Sequence, residues 1–123
     1  MAPRKQRANF TLASLTSADL YDANLSGSHL IYADLSGAEL SHAYIIDADL
    51  SGANLECTDR GGEKRCTDLS FANLSGANLS KANLGGADLR YAYLTQQQLD
   101  QVSSCLNAIL PPGLTCHHNQ RNF

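Results

Sequence analysis

A period of five residues constrains this chain more than any other feature. From Ala8 the sequence reads ANFTL, ASLTS, ADLYD, ANLSG, SHLIY, ADLSG, AELSH, AYIID, ADLSG and ANLEC. These ten units are centred on Phe10, Leu15, Leu20, Leu25, Leu30, Leu35, Leu40, Ile45, Leu50 and Leu55. After one interruption come TDLSF, ANLSG, ANLSK, ANLGG, ADLRY and AYLTQ, centred on Leu69, Leu74, Leu79, Leu84, Leu89 and Leu94. A helix would carry every fifth side chain about 140° further round and scatter the leucines over all sides. A strand would alternate them between two faces. A chain that turns a corner every five residues satisfies the pattern, stacking its units as a solenoid. The central residue and the Ala two places before it then point inward, and the other three positions point outward. A small inner residue is a steric requirement, because a narrow tube cannot hold two large side chains per unit. Ser-Gly after the Leu supplies the turn chemistry.

The chain of 123 residues is the size of one domain, with 43% hydrophobic residues carried mostly by Leu and Ala, no Trp and three Phe. No run of 18 or more apolar residues occurs, so no helical membrane insertion is expected. The start, MAPRKQRANF, is basic and lacks the apolar stretch of a signal peptide. It fits either a cytoplasmic protein or one whose leader has been removed. Net charge is −3, which argues for no particular partner.

Tandem A(D/N)LXX units resemble the pentapeptide repeat family over roughly Ala8 to Thr95. The resemblance implies an all-β solenoid, a right-handed quadrilateral β-helix with four units per coil, here of about four coils. Residues 1–7 are then a basic tail, residues 8–95 the β-helix, and residues 96–123 a short capping helix with its tail. Stacking units four apart, with coils about 4.8 Å from one another, brings Asp19, Glu39, Asp68 and Asp88 into one column on the third face. Like charges so close should raise carboxyl pKa values or attract a cation, although Asp and Asn are also the family's common residues at this slot. The family pattern places Tyr21, Phe71 and Tyr91 outward on the same face, and Tyr44 and Tyr93 on the fourth. Exposed aromatics are the material of binding hot spots, which makes this third face the candidate interaction surface.

The break obeys the same arithmetic. Leu55 and Leu69 are fourteen residues apart. Removing the nine residues Thr58 to Cys66 joins Cys57 to Thr67 and restores the phase. The segment is an extruded insertion with Cys57 and Cys66 at its neck and Asp59-Arg60-Gly61-Gly62 as a turn. A disulfide there would close the loop, stabilising by roughly 2.5–3 kcal/mol in the chain-entropy account. Its Arg60, Lys64 and Arg65 would either fold over the acidic column or offer a basic tip. Downstream, Thr95-Gln96-Gln97-Gln98 reads as a capping box opening a helix with Leu99, Val102 and Leu106 on one side. Pro111-Pro112-Gly113 stops it, and Cys105 and Cys116 flank that turn. Four cysteines allow three connectivities. The two local pairs, Cys57–Cys66 and Cys105–Cys116, are favoured over four reduced thiols or a zinc site using Cys105, Cys116, His117 and His118. Such pairs place the protein in an oxidising compartment. With the repeat, they resemble exported family members of the cyanobacterial periplasm and thylakoid lumen.

For function, a rigid interaction module with an unidentified protein partner, acting as a monomer, fits these features best. No cofactor, metal or direct nucleic-acid contact is expected. The family also contains DNA mimics that occupy gyrase. Here four coils would need roughly eleven negative charges to match a duplex. The repeat units carry nine acids against Lys81 and Arg90, a net −7. No catalytic triad, phosphate loop or metal-ligand spacing is legible, and His29 and His42 lie on different faces.

Overall fold

The computed structural model describes residues 7–117. The first six residues of the basic tail, and His118 of the zinc alternative, lie outside them. Parallel bridges link residues twenty apart, twenty-nine apart across the insertion and twenty-one apart at the last coil, in four columns. The first column runs Asn9, His29, Asp49, Asn78; the second Ser14, Asp34, Asn54, Asn83, Ser104. The third runs Asp19, Glu39, Asp68, Asp88, Ile109, and the fourth Asn24, Tyr44, Asn73, Tyr93. Within a column the central N–H of one unit donates to the next coil, as Leu30 does to Asp49 at 2.7 Å and Leu50 to Asn78 at 2.8 Å. The bridging residue donates back, as His29 does to Ala8 at 2.9 Å. Each face pairs through single bridges because the corner follows after too few residues for a longer strand.

The corners are β-turns. The central carbonyl accepts from the N–H three residues on, as Phe10 does from Ala13 at 2.9 Å. The third turn residue has positive φ while the second does not, which is the type II pattern. Glycine fills this slot at Gly27, Gly37, Gly52, Gly76 and Gly86, but Leu12, Tyr32, His42, Phe71 and Tyr91 occupy it too, with φ between 55° and 63°. The corner is held from both sides, since the same residue's N–H also bonds the next coil: Tyr32 to Ser51 and His42 to Ser70, both at 2.9 Å. Ser-Gly is therefore a preference at the corner and not a requirement.

Inside, the central residues from Leu30 to Leu89 are at most 2% exposed, and Ala33, Ala38, Ala43, Ala53, Ala72, Ala82 and Ala87 are at 0%. The Asp or Asn before each Leu has its own local task. Its side-chain oxygen accepts the N–H two residues on, as Asp34 does from Ser36 at 3.0 Å and Asn78 from Ser80 at 2.9 Å. The bridge pattern leaves that N–H without a ladder partner, so a short side-chain acceptor is selected at this slot.

The insertion is a hairpin of β1 (Thr58–Arg60) and β2 (Glu63–Arg65). Its turn is Gly61-Gly62, one residue later than the sequence suggested, because two successive positive φ values of 64° and 85° are needed there. Thr67 takes the inner Ala slot. It is fully buried, accepting from Gly37 N–H at 2.9 Å and sitting 3.0 Å and 3.1 Å from the Glu56 and Leu35 carbonyls. The neck is thus stitched by a side chain as well as by the cysteines.

The C-terminal expectation needs correction. The capping box of Thr95 and Gln98 is present, but α1 spans only Gln96–Leu99, with Leu99 and Val102 buried and Leu106 55% exposed. Leu106 does not share the helix face because the repeat resumes before it. Ser103 N–H bonds Ala82 at 2.8 Å, and Ser104 and Ile109 extend the second and third columns. Cys105 stands where a central Leu would. At the level of α1, Gln98 Nε2 reaches the Leu74 and Ala77 carbonyls at 2.7 Å and 3.0 Å. The tail lies against α1 through two Gln96–Thr115 bonds of 2.8 Å and 3.0 Å.

Candidate functional site

The third face carries two parallel stripes. The first is the column Asp19, Glu39, Asp68, Asp88, bridged in that order. Each carboxylate is engaged locally. Asp19 accepts from Tyr21 N–H, Glu39 from the N–H and hydroxyl of Ser41, and Asp68 from both groups of Ser70. Asp88 accepts from Arg90 N–H and forms a bidentate pair with its guanidinium, Nη2 to Oδ2 at 2.7 Å. The expectation of raised carboxyl pKa values fails at Asp88. The Arg90 side chain is the largest influence and holds that carboxyl below its usual value. On the second face, burial pushes the Asp34 carboxyl up, but hydrogen bonds from Ser36 and Thr16 outweigh it and leave it lowered. Nor do the acids converge: among the described residues no three His, Cys, Asp or Glu side chains are placed to hold a metal ion.

The second stripe is aromatic and longer than the sequence indicated. Tyr21 meets His42 edge-on at 5.6 Å, His42 stacks on Phe71 at 4.8 Å with planes 3° apart, and Phe71 stacks on Tyr91 at 4.9 Å. His42, Phe71 and Tyr91 all occupy the positive-φ corner slot, so the coil spacing sets the ring spacing. Tyr21 sits one position earlier in its unit and leans onto the stack. The available signal is the recurrence of a flat ring at the same unit position in successive coils, at His42, Phe71 and Tyr91. Tyr21, Phe71 and Tyr91 remain 50–63% exposed. Stacking hides ring faces and leaves the edges outward, giving a firm ridge about 15 Å long from the summed centroid steps. Tyr44 and Tyr93 share the fourth column but do not touch, because Asn73 stands between them.

The hairpin borders this face without covering it. Arg65 lies beside Glu39 and Asp68 in a shallow recess, yet among the described residues no ion pair joins the hairpin to the acidic column. The cysteines are paired Cys57–Cys66 and Cys105–Cys116. With Cys105 and Cys116 bonded to each other, the zinc alternative loses its thiolates, and His117 is instead 3.2 Å from Asp100.

The sequence model of the family described as Pentapeptide repeats matches residues 6–30, 18–56 and 67–103, leaving out the hairpin. Among solved structures, the chain is similar to a pentapeptide repeat protein from the cyanobacterium Cyanothece 51142. The two are 32% identical over 94% of this chain and 65% of that one, with a TM-score of 0.65. A pentapeptide repeat protein of the Arabidopsis thaliana thylakoid lumen is 28% identical over 82% of this chain and 57% of that one, with a TM-score of 0.39. HetL of Nostoc, described as involved in heterocyst differentiation regulation, is 32% identical over 91% and 59%, with a TM-score of 0.40. The chain therefore spans about three fifths of the length of these relatives. No curated protein matches it.

Proposed function

This chain belongs to the pentapeptide repeat family, whose members form right-handed quadrilateral β-helices and generally serve as structural or interaction modules, and we propose that it is a non-enzymatic post that docks a protein partner on its third face. The post consists of about four coils, with α1 and the disulfide-tied tail closing its lower end. The observation that carries the reading is the stack Tyr21, His42, Phe71 and Tyr91 beside the carboxylate column. Rings already immobilised by one another lose little conformational freedom when a partner covers them. The two disulfides support work in an oxidising compartment, a periplasm or thylakoid lumen.

Phe71→Ser with Tyr91→Ser removes the centre of the ridge, and Tyr44→Ser with Tyr93→Ser makes an equal change on the fourth face. Each immobilised variant and the parent would be exposed to extract of the source organism, and retained proteins quantified. Loss of one retained protein from the third-face variant alone is expected. Identical retention by all three would refute the reading.

A further inference from the structure

The hairpin has a second face that the partner-docking reading does not use. Its register pairs Thr58 with Arg65, Asp59 with Lys64 and Arg60 with Glu63. Side chains alternate along a strand, so Thr58, Arg60, Glu63 and Arg65 share one side while Asp59 and Lys64 share the other. The first side is turned to the solenoid. Gly37, at φ 70°, has the Thr58 methyl, the Arg65 carbonyl and the Ser17 hydroxyl over its α-carbon, and any side chain there would meet them. Between hairpin and coil lies a cavity of about 220 Å³ lined by Ser17, Arg60, Glu63 and Arg65. That is roughly seven water volumes, enough for a tetrahedral oxyanion and part of its hydration.

Three features of this cavity point to one ligand chemistry. Among the described residues the ion pairs are Arg90–Asp88 and His117–Asp100, so no described carboxylate forms an ion pair with either hairpin guanidinium. The Ser17 hydroxyl is buried without a hydrogen-bond partner, a costly condition that a ligand oxygen would relieve. Glu63 brings a carboxylate, which when ionised can only accept hydrogen bonds. Two guanidiniums and a hydroxyl recognise oxyanion oxygens, and the carboxylate demands that the anion itself carry a proton.

We propose that the cleft beneath the hairpin binds hydrogen phosphate. Arg60 and Arg65 bond its charged oxygens, Ser17 donates to a third, and the P–OH donates to Glu63. Sulfate has the same shape but keeps no proton near neutral pH, so its fourth oxygen faces Glu63 charge to charge and it is rejected. A phosphate monoester in its dianionic form fails for the same reason, which separates free phosphate from a phosphorylated ligand. The Cys57–Cys66 bond and the Thr67 stitch fix the hairpin neck, so the strands that carry the two arginines stay beside Ser17.

Isothermal titration of the oxidised protein with sodium phosphate, sodium sulfate and phenyl phosphate, at pH 7.5 and matched ionic strength, tests this. Saturable phosphate binding is expected, with sulfate and phenyl phosphate about tenfold weaker or more. Arg60→Gln and Arg65→Gln should each weaken phosphate by about tenfold or more, the loss of a charge-assisted bond. Ser17→Ala should weaken it less. Lys64→Gln, on the other side of the hairpin, should leave it within about twofold, a change of less than half a kcal/mol. Glu63→Gln should abolish the preference for phosphate over sulfate, an outcome that non-specific attraction to a basic loop does not produce. Far-UV CD of each variant checks that the solenoid is intact. Absence of saturable phosphate binding, equal binding of sulfate by the parent, or phosphate binding that survives both arginine replacements would overturn the proposal.

Discussion

Ala38→Leu probes the reason this chain forms a solenoid at all. Ala38 is 0% exposed, and its column neighbours are Ala18 in the coil before and buried Thr67 in the coil after. Its N–H bonds Leu35 at 3.0 Å, and its carbonyl accepts from Asp68 at 3.0 Å. Leucine adds three carbons, whose burial would stabilise by about 2.4 kcal/mol if room existed, at about 0.8 kcal/mol each. The slot is already closed by Leu35 and Leu40, so the carbons can enter only by moving the coils apart. That stretches the hydrogen bonds on both sides, and overpacking of this kind destabilises by roughly 1–3 kcal/mol net. A loss of about 2 kcal/mol lowers the urea midpoint by about 1 M for a slope near 2 kcal/mol/M. Ala13→Leu is the internal control. It occupies the inner Ala slot of the second face in the first coil, which is only half-buried with no described coil above it, and should shift the midpoint by less than half as much. An unchanged midpoint in Ala38→Leu, or equal losses at the two sites, would refute the inward-Ala, inward-Leu packing.

The other predictions concern the corners, the insertion and the acidic column. Gly52 (φ 69°) lies under the Tyr32 ring, so Gly52→Ala should cost about 1–2 kcal/mol from the left-handed backbone alone and more from the ring. In a Tyr32→Ala background only the backbone part should remain, which a double-mutant cycle by urea denaturation measures. Deleting Thr58 to Cys66 with Cys57→Ser should leave the far-UV CD unchanged, because the bridges from the second coil to the third pass either side of the hairpin; loss of β signal would show the hairpin to be part of the coil. Asp88 has a lowered folded-state pKa, so its contribution is present above the unfolded value near 3.8 and is lost as pH falls through the folded value. Arg90→Gln should therefore reduce stability at pH 7 and flatten its decline on acidification below about pH 4, read as urea midpoints across that range.

Much of this architecture was legible because a period is a global constraint. Once every fifth residue must be apolar and every inner partner small, the interior, the columns and the phase of the insertion all follow by counting. What stayed hidden depends on events within a single unit. His42 joins the ring stack only because the corner slot, not the slot after the Leu, carries Phe71 and Tyr91, and composition does not separate those slots. The units around Cys105 and Leu110 resume the columns with Ser103 and Ala108 in the small slots, but they lack A(D/N)L, and α1 displaces them by one residue. The helix is shorter than the pattern predicts because Val102 and Leu106 fit a 3.6-residue period as well as they fit a tail returning to the ladder. The Asp88–Arg90 pair reverses the expected acidity shift through a side chain two positions away, an effect set by rotamer and distance. Asp and Asn before the Leu also illustrate why a column of acids says little alone, since each first answers a backbone N–H.

Site-specific photocrosslinking in the source organism reaches the central claim most directly. A benzophenone side chain placed at Tyr91 sits on the aromatic ridge, and one placed at Tyr93 sits on the adjacent face at the same level of the solenoid. A discrete adduct from position 91, absent from position 93, is the predicted result, and mass spectrometry of that adduct would identify the partner. Equal adducts from both positions, or none from position 91 while position 93 reacts, would contradict a partner seated on the third face.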